Sequence, residues 1–225
     1  SMTKRPIPEL KKILHPKSTL SRMGFFHANV SNIGNLDPPS ELYKSLFNNF
    51  SSSGDLCKLF FKTVKPITLQ ENAYPLLKND FDVLVPYLKM ALKHKQVGVN
   101  ILIYGNSKHG KWELTRLIAK CVNVQLYKVS DRSNEDQPLN PKNRFSAYQF
   151  TQVWWSEHDL PGLIVMDSAD NIFSQTGPIL DFDDIPEKRT GLEKMEQQMC
   201  ENPVPMIWIL DEPSAIDEVC LGLFN

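Results

Sequence analysis

Residues 99–104 run apolar and β-branched (Val99, Ile101, Leu102, Ile103) into Gly105, and from 112 to 122 apolar side chains recur at Leu114, Leu117, Ile118 and Cys121. The first segment has the pattern of a buried strand and the second that of an amphipathic helix. A strand that turns through a glycine directly into a helix opens a strand–helix–strand unit, and repetition of that unit commits a chain to an α/β fold. The repetition is present. Residues 122–129 alternate like a strand, 145–155 have helical spacing, and 161–167 form an apolar run that ends in Asp167. Residues 192–200 then read as a helix and 204–210 as a strand ending in Asp211 and Glu212. The expectation over residues 80–225 is a three-layer α/β domain with a mostly parallel sheet. At its start, Phe81, Leu84, Val85, Leu88, Ala91 and Leu92 mark a helix over 80–95, in which Pro86 predicts a kink or a break.

The glycine turn carries chemistry. Gly105, Asn106, Ser107, Lys108, His109, Gly110 and Lys111 have the Gly-x-x-x-x-Gly-Lys spacing of a phosphate-binding loop. In such a loop the backbone wraps the phosphates, the lysine reaches them, and a Ser/Thr hydroxyl after the lysine ligates Mg²⁺. Trp112 stands where that hydroxyl is needed, and an indole has only an N–H donor. Lys108 and His109 also favour anions. In open α/β sheets ligands bind beyond the C-terminal strand ends. Tyr104, Asp167 and Asp211 all fall at such ends, which points to one site. The alternative is a strand–turn–helix that takes no ligand.

Outside this region the sequence is less informative. Residues 3–23 form a basic leader (Lys4, Arg5, Lys11, Lys12, Lys17 and Arg22 against Glu9), either a solvated arm or short helix, or a nucleic-acid or partner-binding arm. Residues 1–70 are expected to make a small, mainly helical N-terminal appendage, with Leu42, Leu46 and Phe47 on one helix. Residues 174–187 read as an acidic loop (Asp181, Asp183, Asp184, Glu187). A formal net charge of −1 gives no global attraction to nucleic acid or membrane. No apolar run approaches the roughly 20 residues of a membrane span. The four cysteines are far apart, so they are expected to be reduced, with Cys121 and Cys200 in the core, and the setting to be cytoplasmic.

With these motifs in order, the chain resembles the AAA+ ATPases, a P-loop NTPase family. Residues 99–105 resemble the approach to Walker A, 163–167 resemble Walker B, and 201–209 resemble the segment leading to sensor 1 in a bacterial group of that family. The resemblance implies a nucleotide, ATP or ADP, held by residues 105–112, with Asp167 as a Mg²⁺ ligand. It also implies assembly with neighbouring subunits.

Several positions depart from the family pattern. Asn106, Ser107, Lys108 and His109 replace the usual small-residue middle of the loop. Ser168 stands where the water-orienting glutamate is usual, and serine near neutral pH is a poor base. Asp211 stands at the sensor position, usually Asn. Leu221, Gly222, Leu223 and Phe224 lie where an arginine finger is common. The helical lid that the resemblance implies is expected to fall outside these 225 residues, either because they are a fragment or because the protein lacks it. The resulting expectation is a degenerate AAA+-like module with weak or no ATP hydrolysis, acting in assembly or regulation. One alternative is an active Mg²⁺-dependent ATPase using Asp167 and Asp170. The other is a nucleotide-free scaffold that binds protein.

Overall fold

The computed structural model describes residues 18–23, 57–69, 73–133, 135–158, 161–173, 189–216 and 218–225. The expected helix at 40–50, the acidic 174–187 loop and most of the basic leader lie outside them. Of the leader, Thr19–Arg22 forms one helical turn, α1, with Arg22 3.7 Å from Glu157.

The sheet forms around two strands, Gly162–Met166 and Met206–Leu210, that are buried on both faces. Its strands are β1 (Phe61–Thr63), β2 (Asn100–Tyr104), β3 (Gln125–Val129), β4 (Gly162–Met166) and β5 (Met206–Leu210), in spatial order β1-β3-β4-β5-β2. The four strands from β2 to β5 are parallel, and β1 pairs antiparallel with β3. Side chains on a strand alternate between faces. Leu163, Val165, Ile207 and Ile209 therefore pack with α2 (Lys78–Lys93) and α3 (Lys108–Val122), whose Leu88, Leu117 and Ile118 are buried. Ile164, Met166, Met206, Trp208 and Leu210 pack on the other face with α4 (Pro141–His158), α5 (Asp170–Phe173) and α6 (Arg189–Glu201). A last turn, α7, spans Glu218–Leu221. The described residues thus make a mixed α/β unit of three layers.

Three local results differ from the sequence reading. Helix α2 runs through Pro86 without a break. Helix α3 begins at Lys108, one turn before the expected Trp112, for a reason given below. Within the stretch expected to be helical, Phe61–Thr63 is a strand of the main sheet, and Phe61 meets Tyr127 and Trp155 edge-on or tilted. Edge-strand pairing and aromatic contact outweigh local helical spacing there.

Two buried asparagines knit the sheet to its surroundings. Asn100 is fully buried; its Nδ2 donates to Met199 O (2.9 Å), and its Oδ1 accepts from Trp208 Nε1 (3.0 Å). Asn202, also buried, donates to Val99 O at 3.1 Å. These bonds tie the start of β2 to α6 and β5. Buried polar groups left unpaired would be costly, so this network fixes one register.

The cysteines also differ from expectation. None is in a disulfide, but Cys200 is exposed and Cys121 half-buried, whereas Cys57 and Cys220 are buried. Burial pushes the Cys57 thiol up to about 11.

Candidate functional site

Residues that the sequence singles out gather at the C-terminal ends of β2, β4 and β5, which are neighbours in the sheet. Chain direction turns sharply after Tyr104 because Gly105 takes φ +132°, a conformation that strains any residue with a Cβ. Ser107 then caps α3. Its backbone is extended, its Oγ accepts from Gly110 N at 3.2 Å, and its carbonyl accepts from Lys111 N at 3.0 Å. This cap explains the early helix start: a serine at the N-cap position satisfies an otherwise orphan amide. A Cβ at position 110 would lie 2.9 Å from that Ser107 Oγ, so Gly110 serves the cap directly. Lys108, His109, Gly110 and Lys111 therefore sit in the first turn of a helix rather than in an open loop. The amides of Gly110 and Lys111 are already used within the chain. Ser107→Ala is expected to lower folding stability by about 1 kcal/mol, measurable as a lower urea midpoint with unchanged slope.

Lys111 is nearly enclosed, with 6% of its side chain exposed. Its Nζ donates to Gly105 O, to Leu210 O at 2.6 Å and to Asp211 Oδ1 at 2.7 Å. An ammonium has three donors, and these acceptors match all three. Lys108 Nζ lies 3.7 Å from the other Asp211 oxygen. The hydrogen bond from Lys111 is the main cause that holds the Asp211 carboxyl below its ordinary value; burial opposes it, and the charges of Lys111 and Lys108 add to the lowering. Asp211 thus closes directly onto the lysine of the glycine loop.

A second ion cluster lies beside the first. Lys128, near the end of β3, places Nζ 2.9 Å from Asp131 Oδ2 and 3.2 Å from Asp167 Oδ2. The same nitrogen stands 5.4 Å from the ring centre of Trp112, a cation–π distance. Burial would raise the Asp131 carboxyl, but the hydrogen bond and charge of Lys128, with the charge of Arg144, outweigh it and hold it low.

The turn after β4 is held from below. Ser168 has φ +51°, and Arg144, 4% exposed, donates to Asp167 O, to Ser168 O at 2.7 Å and to Asn171 Oδ1 at 2.9 Å. Asp170 does not stand here as a free acid. Its Oδ1 accepts from Asp211 N at 2.8 Å and Glu212 N at 3.3 Å, so it acts as a brace between two strand ends.

The structure therefore brings Gly105, Lys108, Lys111 and Asp211 into one group, and Trp112, Lys128, Asp131 and Asp167 into an adjoining one. Asn106 and His109 are exposed on the rim. Sequence reasoning missed Lys128, Asp131 and Arg144. Lys128 had a signal, since it lies at the end of a predicted strand as Tyr104, Asp167 and Asp211 do. Arg144, one residue before the helix predicted at 145–155, had none.

No family model matches the chain, and no curated protein matches it. Among solved structures it is similar to a chain in the E. coli MS115-1 HORMA:CdnC:Trip13 complex, with 16% identity and a TM-score of 0.43 over 75% of this chain and 68% of that one. It is also similar to the FIGL-1 AAA domain in complex with ADP, with 14% identity and a TM-score of 0.47 over 80% of this chain and 61% of that one.

Proposed function

We propose that this chain is an AAA-like module that does not hydrolyse ATP and acts by assembling with protein. The observation that carries this reading is the Lys111–Asp211 pair at 2.7 Å, in which the phosphate-reaching lysine is neutralised by the chain's own carboxylate. Catalysis of phosphoryl transfer is almost entirely positioning and charge stabilisation. Here the lysine is engaged, Ser168 offers no base, and Asp170 is spent on two backbone amides. The charges at these strand ends also balance. Lys108, Lys111 and Lys128 face Asp131, Asp167 and Asp211, so no net positive field attracts a polyphosphate.

The assembly part of the reading has its own support. Leu76, Val83 and Met90 are exposed at intervals of seven residues along α2 and the turn before it, with exposures of 95%, 72% and 52%. A repeated apolar stripe on a helix suits a protein partner or a second copy of the chain better than nucleic acid.

The deciding experiment is ATP turnover with and without Mg²⁺, beside calorimetric titration of ATP and ADP. The expected result is no turnover above that of Lys111→Ala, with weak or undetectable nucleotide binding. Turnover that needs Mg²⁺ and disappears in Lys111→Ala would overturn the proposal in favour of a working ATPase.

A further inference from the structure

Mg²⁺ is the cation that the glycine-loop resemblance implies at Asp167, and the residues present do not fit it. A hard divalent cation takes oxygen ligands in an octahedral arrangement, with waters filling the places the protein does not supply. Trp112 supplies no oxygen where a hydroxyl is usual. The two carboxylates at hand, Asp131 and Asp167, are already bonded to one ammonium at 2.9 and 3.2 Å.

We propose that Lys128 is the resident cation of this site, its ammonium standing between Asp131 and Asp167 in place of a divalent metal ion. Three observations converge on it. The nitrogen is within 3.2 Å of both carboxylates, its third side faces the Trp112 ring, and 22% of the side chain is exposed. The contacts come from different elements: β3 supplies the lysine, the segment after β3 supplies Asp131, the end of β4 supplies Asp167, and α3 supplies the ring.

The tryptophan then has a physical reason at position 112. An indole face attracts a monovalent ammonium and cannot ligate a metal, so Trp112 and Lys128 suit one another. An ammonium also needs no hydration shell to be exchanged and no free ion from solution. The charge it brings is a single one, permanently attached. The site is thereby independent of divalent cations, whatever anion it meets.

This inference concerns the same strand ends as the proposed function but does not depend on whether ATP is turned over. Its test is thermal unfolding of the whole chain in millimolar MgCl₂ against NaCl of equal ionic strength. Wild type is expected to show no difference between the two salts. Lys128→Met leaves Asp131 and Asp167 without the ammonium they share; it should melt lower and regain at least about 2 °C specifically from Mg²⁺, since a ligand that binds only the folded state raises its stability. That gain should vanish when Asp167→Asn is added, and Lys128→Arg should behave as wild type.

Two results would each overturn the proposal. One is a Mg²⁺-specific gain in wild type that Asp167→Asn removes, a measurement that needs no change at Lys128. The other is a folded Lys128→Met with no Mg²⁺ response. Neither depends on turnover, so failure here and failure of the proposed function are told apart.

Discussion

Arg144→Met should lower folding stability by about 3 kcal/mol, because it removes a buried guanidinium that three acceptors depend on. The side chain is 4% exposed and donates to the carbonyls of Asp167 and Ser168 and to Asn171 Oδ1. Methionine fills similar volume but supplies no donor. The two carbonyls, whose bonds are part-buried, would lose this donor, at up to about 1–3 kcal/mol each where water cannot reach. The charge balance around it matters as well. Burial pulls the guanidinium pKa below its ordinary value, while the charges of Asp131, Asp167 and Asp170 pull it upward. Losing the cation leaves these acids with less compensation.

The melting temperature should fall by roughly 6–12 °C for a chain of this size. Lys is not expected to rescue, since a single ammonium cannot span two carbonyls and an amide oxygen in a planar fork. A loss under about 0.5 kcal/mol, the range of ordinary surface substitutions, would show that the turn after β4 is not held by Arg144.

That turn also illustrates what sequence could reveal. The strands and their order of appearance were legible because β4 and β5 are apolar on both faces and each ends in an acid, a pattern set by burial alone. The gathering of residues at one end of the sheet was legible for the same reason: strand ends and a glycine turn locate it without knowledge of any side-chain contact. What each polar residue does there was not legible. Asp170 reads as a candidate acid two positions after Ser168, but the αL backbone of Ser168 starts a helical turn and aims the carboxylate at the amides of Asp211 and Glu212. Lys128 and Asp131 are close in sequence, yet their significance comes from Asp167 and Trp112, 39 and 16 positions away from Lys128. Pairings of that separation are set by tertiary packing. The strand at Phe61–Thr63 was hidden likewise, since its stabilising partners Tyr127 and Trp155 lie far along the chain.

Asp211→Asn should raise affinity for free phosphate-class anions, probed with ATP in EDTA, by at least about tenfold, which corresponds to about 1.4 kcal/mol. The amide keeps the size of the carboxylate and can still accept from Lys111, but it no longer neutralises it. Lys111 would retain Gly105 O and Leu210 O as acceptors and regain its full charge. Lys108, now 3.7 Å from an Asp211 oxygen, would be released in the same step. At an effective dielectric of about 20, a unit charge about 4 Å away is worth about 4 kcal/mol, so even a strongly screened fraction of it suffices for tenfold.

The same latch has a pH dependence whose direction follows from the Asp211 shift. Its carboxyl is held below the ordinary value of 3.8, first by the Lys111 hydrogen bond. A depressed carboxylate contributes stability that is present above its unfolded pKa and lost as pH falls through the folded one. The wild-type latch should therefore be intact at neutral pH and open only below the ordinary carboxylate value, whereas Asp211→Asn should lose that part of the acid transition. Calorimetry in EDTA and acid unfolding thus test one contact in two ways. Unchanged ATP affinity in a folded Asp211→Asn would mean that the blocked cradle at Ser107 and Gly110, rather than the ion pair, keeps anions out.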